Sequence, residues 1–179
     1  MRVRSSVGIL LIGALAACSS GTGKPTVLPS LRTPLESMSP STAATPTGIA
    51  APTAQGAAAF ARFYLQTIAD GFRKQDAARV SVLSDPNCKT CRAYIDSIRE
   101  LKTKHYQPSQ AFRFDVVLAE APATNGSTAR VDVIFNTPAV IILGPDGHVV
   151  QNNRATKGMA QSFQLHRVGD AWRVKEITA

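Results

Sequence analysis

Apolar residues recur at helical spacing as far as about His105 and alternate with polar ones from about Ala111 onward. That change of period constrains the fold more than any short motif. A 3.6-residue repeat puts apolar groups on one helix face, and a two-residue repeat puts them on one sheet face. Phe60, Phe63, Tyr64, Ile68 and Phe72 define one apolar face from about Ala57 to Lys74. Asp76 is placed to cap a short second helix through Val82. Ser84-Asp85-Pro86 predicts the start of a third, with Asp85 at the N-cap and Pro86 at the first helical position, where its missing N–H costs nothing. The third helix should run to about His105, with Cys88, Cys91, Ile95, Ile98 and Leu101 or Lys102 on its apolar face. Gln107-Pro108 ends it.

Strands follow. Phe112, Phe114, Val116 and Leu118 alternate with Arg113 and Asp115 over residues 111–120, and Asn125-Gly126 is a turn signal. Val131, Val133 and Phe135 alternate with Arg130 and Asp132. Ala139 to Leu143 is a short buried run, and Gly144-Pro145-Asp146-Gly147 turns the chain into His148 to Asn153. A long strand covers about Gly158 to Val168, and Gly169-Asp170 turns it into Ala171 to Ile177. Three helices followed by a curved antiparallel sheet make an α+β domain, N-terminal helices packed on the sheet.

The domain occupies residues 56–179, 124 residues, enough for one core without a metal staple. Before it, Ser19 to Gln55 holds six prolines and thirteen Ser or Thr among 37 residues. So few large apolar groups cannot offset the ordering entropy, so residues 18–55 read as an extended, disordered tether. At the start, Arg2 and Arg4 precede the apolar run Val7 to Ala17, which covers eleven residues. A spanning helix needs about twenty. The run therefore fits the apolar region of an export signal, residues 1–17. The whole sequence carries a formal charge of +8, and removing Arg2 and Arg4 with the signal leaves +6. The basic residues are dispersed among acids. No basic run interleaved with aromatics points to nucleic acid. Such an excess reads first as a solvated basic surface, with attraction to anionic lipid or wall polymers as the alternative.

Leu15-Ala16-Ala17-Cys18 resembles the lipobox of bacterial lipoproteins. The resemblance implies diacylglycerol on the Cys18 sulfur, cleavage before Cys18 and fatty acylation of the new amino terminus. Two or more chains give stable anchoring where one is marginal. The implied location is the extracytoplasmic face of the cell membrane. The order of elements is similar to the cone-shaped fold of nuclear transport factor 2, ketosteroid isomerase and the SnoaL-like polyketide cyclases. Phe163-Gln164-Leu165-His166-Arg167-Val168-Gly169-Asp170-Ala171-Trp172-Arg173-Val174 is similar to the last hairpin of many such domains, with Trp172 and Val174 turned to one face to pack on the helices. Leu83-Ser84-Asp85-Pro86-Asn87-Cys88-Lys89-Thr90-Cys91, together with the lipobox and tether, resembles a family of uncharacterised actinobacterial lipoproteins. That family carries no activity over to this chain.

Cys88 and Cys91 are the sharpest chemical feature of the domain. Residues three apart on a helix have Cα atoms roughly 5 Å apart, within disulfide range. An exported chain meets oxidising conditions, so a Cys88–Cys91 disulfide is expected. Cys-x-x-Cys at a helix start is also the oxidoreductase spacing. A thioredoxin-type pair, however, follows a strand in a βαβ unit. Two cysteines need two further ligands to hold zinc, and His105, His148 and His166 show no ligand spacing; no metal or cofactor is expected.

Tyr64, Tyr94 and His166 are the candidate pocket residues, with Asp96, Asp115 and Asp132 as further acid–base candidates. Asp115 and Asp132 alternate with apolar neighbours and should face solvent. Asp96 should pair with Arg92 or Arg99. No catalytic arrangement emerges from these residues. The expected function is non-catalytic: an apolar small molecule in the cone or an envelope protein at its surface, with a homodimer through the open sheet allowed. The alternatives are a small isomerase- or cyclase-like enzyme, which requires a buried Asp or His sharing a cavity with a Tyr, and a thiol–disulfide redox protein.

Overall fold

The computed structural model describes residues 48–179. The expectations for the export signal, Cys18 and the tether as far as Thr47 lie outside the described residues. Within them the order is α1 (Ala54–Lys74), α2 (Ala78–Leu83), α3 (Lys89–Thr103), β1 (Gln107–Pro108), β2 (Asp115–Thr124), β3 (Thr128–Thr137), β4 (Val140–Leu143), β5 (Val149–Asn153), β6 (Thr156–Val168) and β7 (Ala171–Thr178). Helices precede antiparallel strands, an α+β arrangement. No helix among the described residues is long and apolar enough to cross a membrane.

The structured part begins before the expected Gly56. Thr53 caps α1, its Oγ1 accepting the Gly56 N–H at 3.1 Å. Upstream, Gly48 to Ala51 forms a hydrogen-bonded turn with Ile49 buried. The Trp172 indole donates to the Ala51 carbonyl at 2.9 Å, and the Arg167 guanidinium donates to the Ala50 carbonyl. Apolar α1 residues Phe60, Tyr64, Leu65, Ile68 and Phe72 are buried as the periodicity predicts, while Phe63 is only partly covered. At the far end Gln75 takes the left-handed conformation at φ 51°, and its side-chain amide donates to the Tyr106 carbonyl.

The start of the third helix differs from expectation. Asp85 is not its N-cap. The Asp85 N–H donates to the Val174 carbonyl at 2.7 Å, and Ser84 bridges Val174 in parallel, so these residues run extended along the edge of β7. The chain turns directly after this edge pairing. Asp85 Oδ1 then accepts the Asn87 N–H in a tight turn, and Cys88 becomes the N-cap. Cys91, Ile95, Ile98 and Leu101 are buried and Lys102 is exposed, so Leu101 completes the apolar face.

The strands form two sheets where one curved sheet was expected. Four strands make the order β2-β3-β6-β7 and three make β1-β4-β5, all antiparallel. β3–β4 and β5–β6 are two segments of one long hairpin, interrupted at its middle. Pro138 lacks the N–H that a continuous ladder needs there. Across the break the Thr137 and Thr156 hydroxyls bond at 2.7 Å, and Asn136 Oδ1 accepts the Gly158 N–H. Gln107-Pro108, read as a helix terminator, is also a strand that pairs with β4.

β2 starts later than residue 111. A bulge between Val116 and Leu118 shifts its phase, so Leu118 pairs with Ile134 on the face away from the core, Val117 is 64% exposed and Ala119 is buried. The inner face of the larger sheet carries Val131, Val133, Phe135, Phe163, Leu165, Trp172, Val174 and Ile177, all buried against the helices. Each large apolar side chain so buried contributes about 1.5–3 kcal/mol.

Candidate functional site

Where the ladder breaks, residues of the smaller sheet and of α1 and α3 together line an open-sided cavity of about 380 Å³. That falls in the size range of small-molecule sites. Its walls are Phe72 of α1, Tyr94 and Leu101 of α3, Tyr106, Phe112 and Phe114 of the segment before β2, Phe135 of β3, and Val140 and Ile142 of β4. The rings are locked by mutual packing. Phe72 and Phe112 stack at 4.3 Å between centroids, and Phe114 meets Tyr94 and Phe135 edge-on at 6.3 and 5.3 Å. The exposed lining residues form the mouth: Ser97 and Glu100 on the α3 side, Arg113, Gln151 and Arg154 on the strand side, with Val150 and Met159 between. A second hollow, about 440 Å³, lies beside the disulfide among Asp85, Asn87, Lys89, Thr90, Lys175 and Glu176. Its charges are of both signs, and Ile177 is the one apolar residue of its lining, so the aromatic cavity is the better-formed site.

Of the three candidate pocket residues, only Tyr94 lines the cavity. Burial raises its phenol above the ordinary tyrosine value, and the Gln161 side chain beside it opposes that rise. It is therefore a neutral phenol at physiological pH. Tyr64 is fully buried within the core. Its hydroxyl lies 2.8 Å from Ser84 Oγ, and Ser84 donates onward to the Val80 carbonyl at 2.7 Å, so Tyr64 must donate to Ser84. Burial pushes the Tyr64 phenol up to about 12, the Ser84 bond working against it and the Tyr94 phenol adding to it. This chain ties α1 to the end of α2 and makes Tyr64 a structural donor. His166 lies away from the cavity, its Nε2 3.8 Å from Asp85 Oδ2, both partly exposed. The three residues are not brought together because α1 carries Tyr64 into the packed middle of the sheet, and the cavity opens beyond its last turn.

The remaining candidates lie at the surface. Asp96 pairs with Arg99 at 3.5 Å, Asp115 with Arg113 at 3.3 Å and Asp132 with Arg130 at 3.0 Å, all with exposed side chains. His105 is exposed just past α3, and His148 pairs with Asp146 in the exposed β4–β5 turn, holding that carboxyl below its ordinary value. Among the described residues no Asp or His lines the Tyr94 cavity, and no group of three His, Cys, Asp or Glu is placed to hold a metal.

Cys88 and Cys91 form the expected disulfide, with Cα atoms 5.2 Å apart. Cys88 Sγ also accepts the Cys91 N–H at 3.2 Å. The pair is buried, with 1% and 0% of the two residues exposed. An exchange partner must reach a sulfur, so this disulfide is built as a staple of the α3 start against the core.

Sequence reasoning missed most of the cavity wall. The signals were Phe112 and Phe114, read as strand residues, and Pro138, which breaks the ladder where the cavity opens.

No family model matches the chain, and no curated protein matches it. Among solved structures it is similar to the crystal structure of the intermembrane space region of chloroplast protein ARC6. The TM-score is 0.50 at 10% identity, over 70% of this chain and 95% of that one. At that identity the likeness bears on fold alone.

Proposed function

We propose that this chain is a lipid-anchored lipoprotein of the cell envelope whose domain binds an apolar small molecule without transforming it. The observation that carries the binding reading is the aromatic cavity of about 380 Å³ at the break in the long hairpin. The Tyr64 bond to Ser84 and the distance of His166 from the cavity weigh against the enzyme alternative, since neither group is free to act on a bound molecule. The burial of Cys88 and Cys91 weighs against thiol–disulfide exchange. The anchor rests on the sequence: the short apolar run, Cys18 behind Leu15-Ala16-Ala17, and the tether to Gln55. In this reading the chain stands with the actinobacterial lipoproteins that its Ser84–Cys91 segment resembles, and the domain is a cone of the nuclear transport factor 2 type.

Two measurements test the halves separately. Native mass spectrometry of the chain carrying Cys18→Ala, purified without denaturant, should show a discrete small-molecule increment above the bare mass. A bare mass that stays bare with added apolar compounds refutes the cavity reading. Fractionation of cells expressing Cys18→Ala should release the protein from the membrane, and retention refutes the anchor.

A further inference from the structure

The walls of the cavity are apolar, but its mouth is asymmetric in charge. Glu100 stands alone on the α3 side. The strand side offers Arg113 and Arg154 with the amides of Gln151 and Asn153. Arg113 is held by Asp115 at 3.3 Å, whereas Arg154 makes no ion pair among the described residues. Arg154 sits in the connection between β5 and β6, beside the break that opens the cavity. A guanidinium there presents a planar donor fork suited to a carboxylate and other oxyanions. At roughly 30 Å³ per water-sized unit, the cavity holds on the order of a dozen non-hydrogen atoms.

We infer that the occupant is a single-chain amphiphile with a monoanionic head, its apolar body among the Phe72, Phe112, Phe114 and Phe135 rings and its head at Arg154. The inference rests on the cavity reading above and adds the head group and its direction. Glu100 repels an anion from the α3 side and Arg154 attracts it on the strand side, so the head lies toward the β5–β6 connection. The Gln151 amide donates to Asn153 Oδ1 at 2.7 Å, which turns the Asn153 amide nitrogen outward as a neutral donor beside it. Met159, at the mouth and partly exposed, covers the body where it leaves the ring-lined space.

The test compares three probes by calorimetry below their aggregation concentrations, with the full chain carrying Cys18→Ala: dodecanoate, dodecan-1-ol and dodecyltrimethylammonium. Dodecanoate should bind about fivefold more tightly than the alcohol, as suits a contact at an exposed arginine. Arg154→Gln should erase that difference by weakening the acid, while Met159→Trp, which narrows the mouth without entering the core, should weaken both acid and alcohol. Equal binding of acid and alcohol, or tighter binding of the ammonium, overturns the anionic head and leaves the cavity reading standing. Failure of all three probes to bind a protein that keeps its cooperative unfolding refutes the cavity reading itself.

Discussion

Gly56→Ala should destabilise the domain although it replaces glycine in a helix by the best helix former. Gly56 is in the first turn of α1, and an added Cβ would fall far inside contact distance of the Ala51 carbonyl oxygen and 3.0 Å from Ala51 C and Cβ. The obstacle is backbone, so no side chain can rotate away. Ala51 must move, and its oxygen is the acceptor of the indole N–H of Trp172, a residue 1% exposed. A buried donor left without a partner costs about 1–3 kcal/mol. Residual crowding adds about 1–3 kcal/mol if the turn resists displacement. The gain in helix propensity is at most about 1 kcal/mol. The net loss should be about 2 kcal/mol, or a fall in melting temperature of about 8 °C for a domain of this size. Trp172 is the sole tryptophan of the chain, so its emission reports this environment alone. Urea unfolding followed by that emission should give the loss, with a native spectrum altered by the displaced acceptor. Gln55→Ala, exposed one residue earlier, should change stability by less than about 0.5 kcal/mol. Unchanged stability and emission in Gly56→Ala would refute the claim that Ala51 is fixed by these contacts.

Replacing both Cys88 and Cys91 by Ala should cost about 2 kcal/mol in urea unfolding, the chain-entropy value for so short a loop, and the same variant should match the unsubstituted protein in an insulin-reduction assay. The Tyr64 phenol lies near 12 in the folded protein against an ordinary 10.0, so the folded state holds its proton more tightly than the unfolded one. Its contribution is therefore intact below about pH 10 and is lost as pH rises from 10 toward 12, by about 2–3 kcal/mol. Tyr64→Phe should lose about 1 kcal/mol at pH 7 through the missing Ser84 bond and show a shallower decline above pH 10, read from paired urea curves.

The helices were legible because their packing follows period alone: Phe60, Tyr64, Ile68 and Phe72, and Cys91, Ile95, Ile98 and Leu101, are buried as their spacing requires. The turns at Asn125-Gly126, Gly144–Gly147 and Gly169-Asp170 were legible because each needs residue types that few other places tolerate. The start of α3 was not, since the edge pairing of Ser84 and Asp85 with Val174 involves a partner about ninety residues away and overrides a good local capping signal. The division into two sheets turns on Pro138 and on β1, a two-residue strand that no periodicity can detect. The cavity follows from that division. Its residues come from six elements and loops, and sequence reasoning found one of them, Tyr94.

The two carbonyls at Ala50 and Ala51 also decide how the domain answers a pull. Tension on the chain upstream of Gly48 does not reach α1 directly. It is met first by the guanidinium of Arg167 and the indole of Trp172, two side chains of the β6–β7 hairpin, and passes from them into the interior of the larger sheet. The α1 helix, about 31 Å long at 1.5 Å per residue, separates that loading point from the cavity beyond its last turn. A drag that strips away Ile49 and the two hydrogen bonds would thus release a few residues ahead of α1 and leave the cavity end of the domain undisturbed.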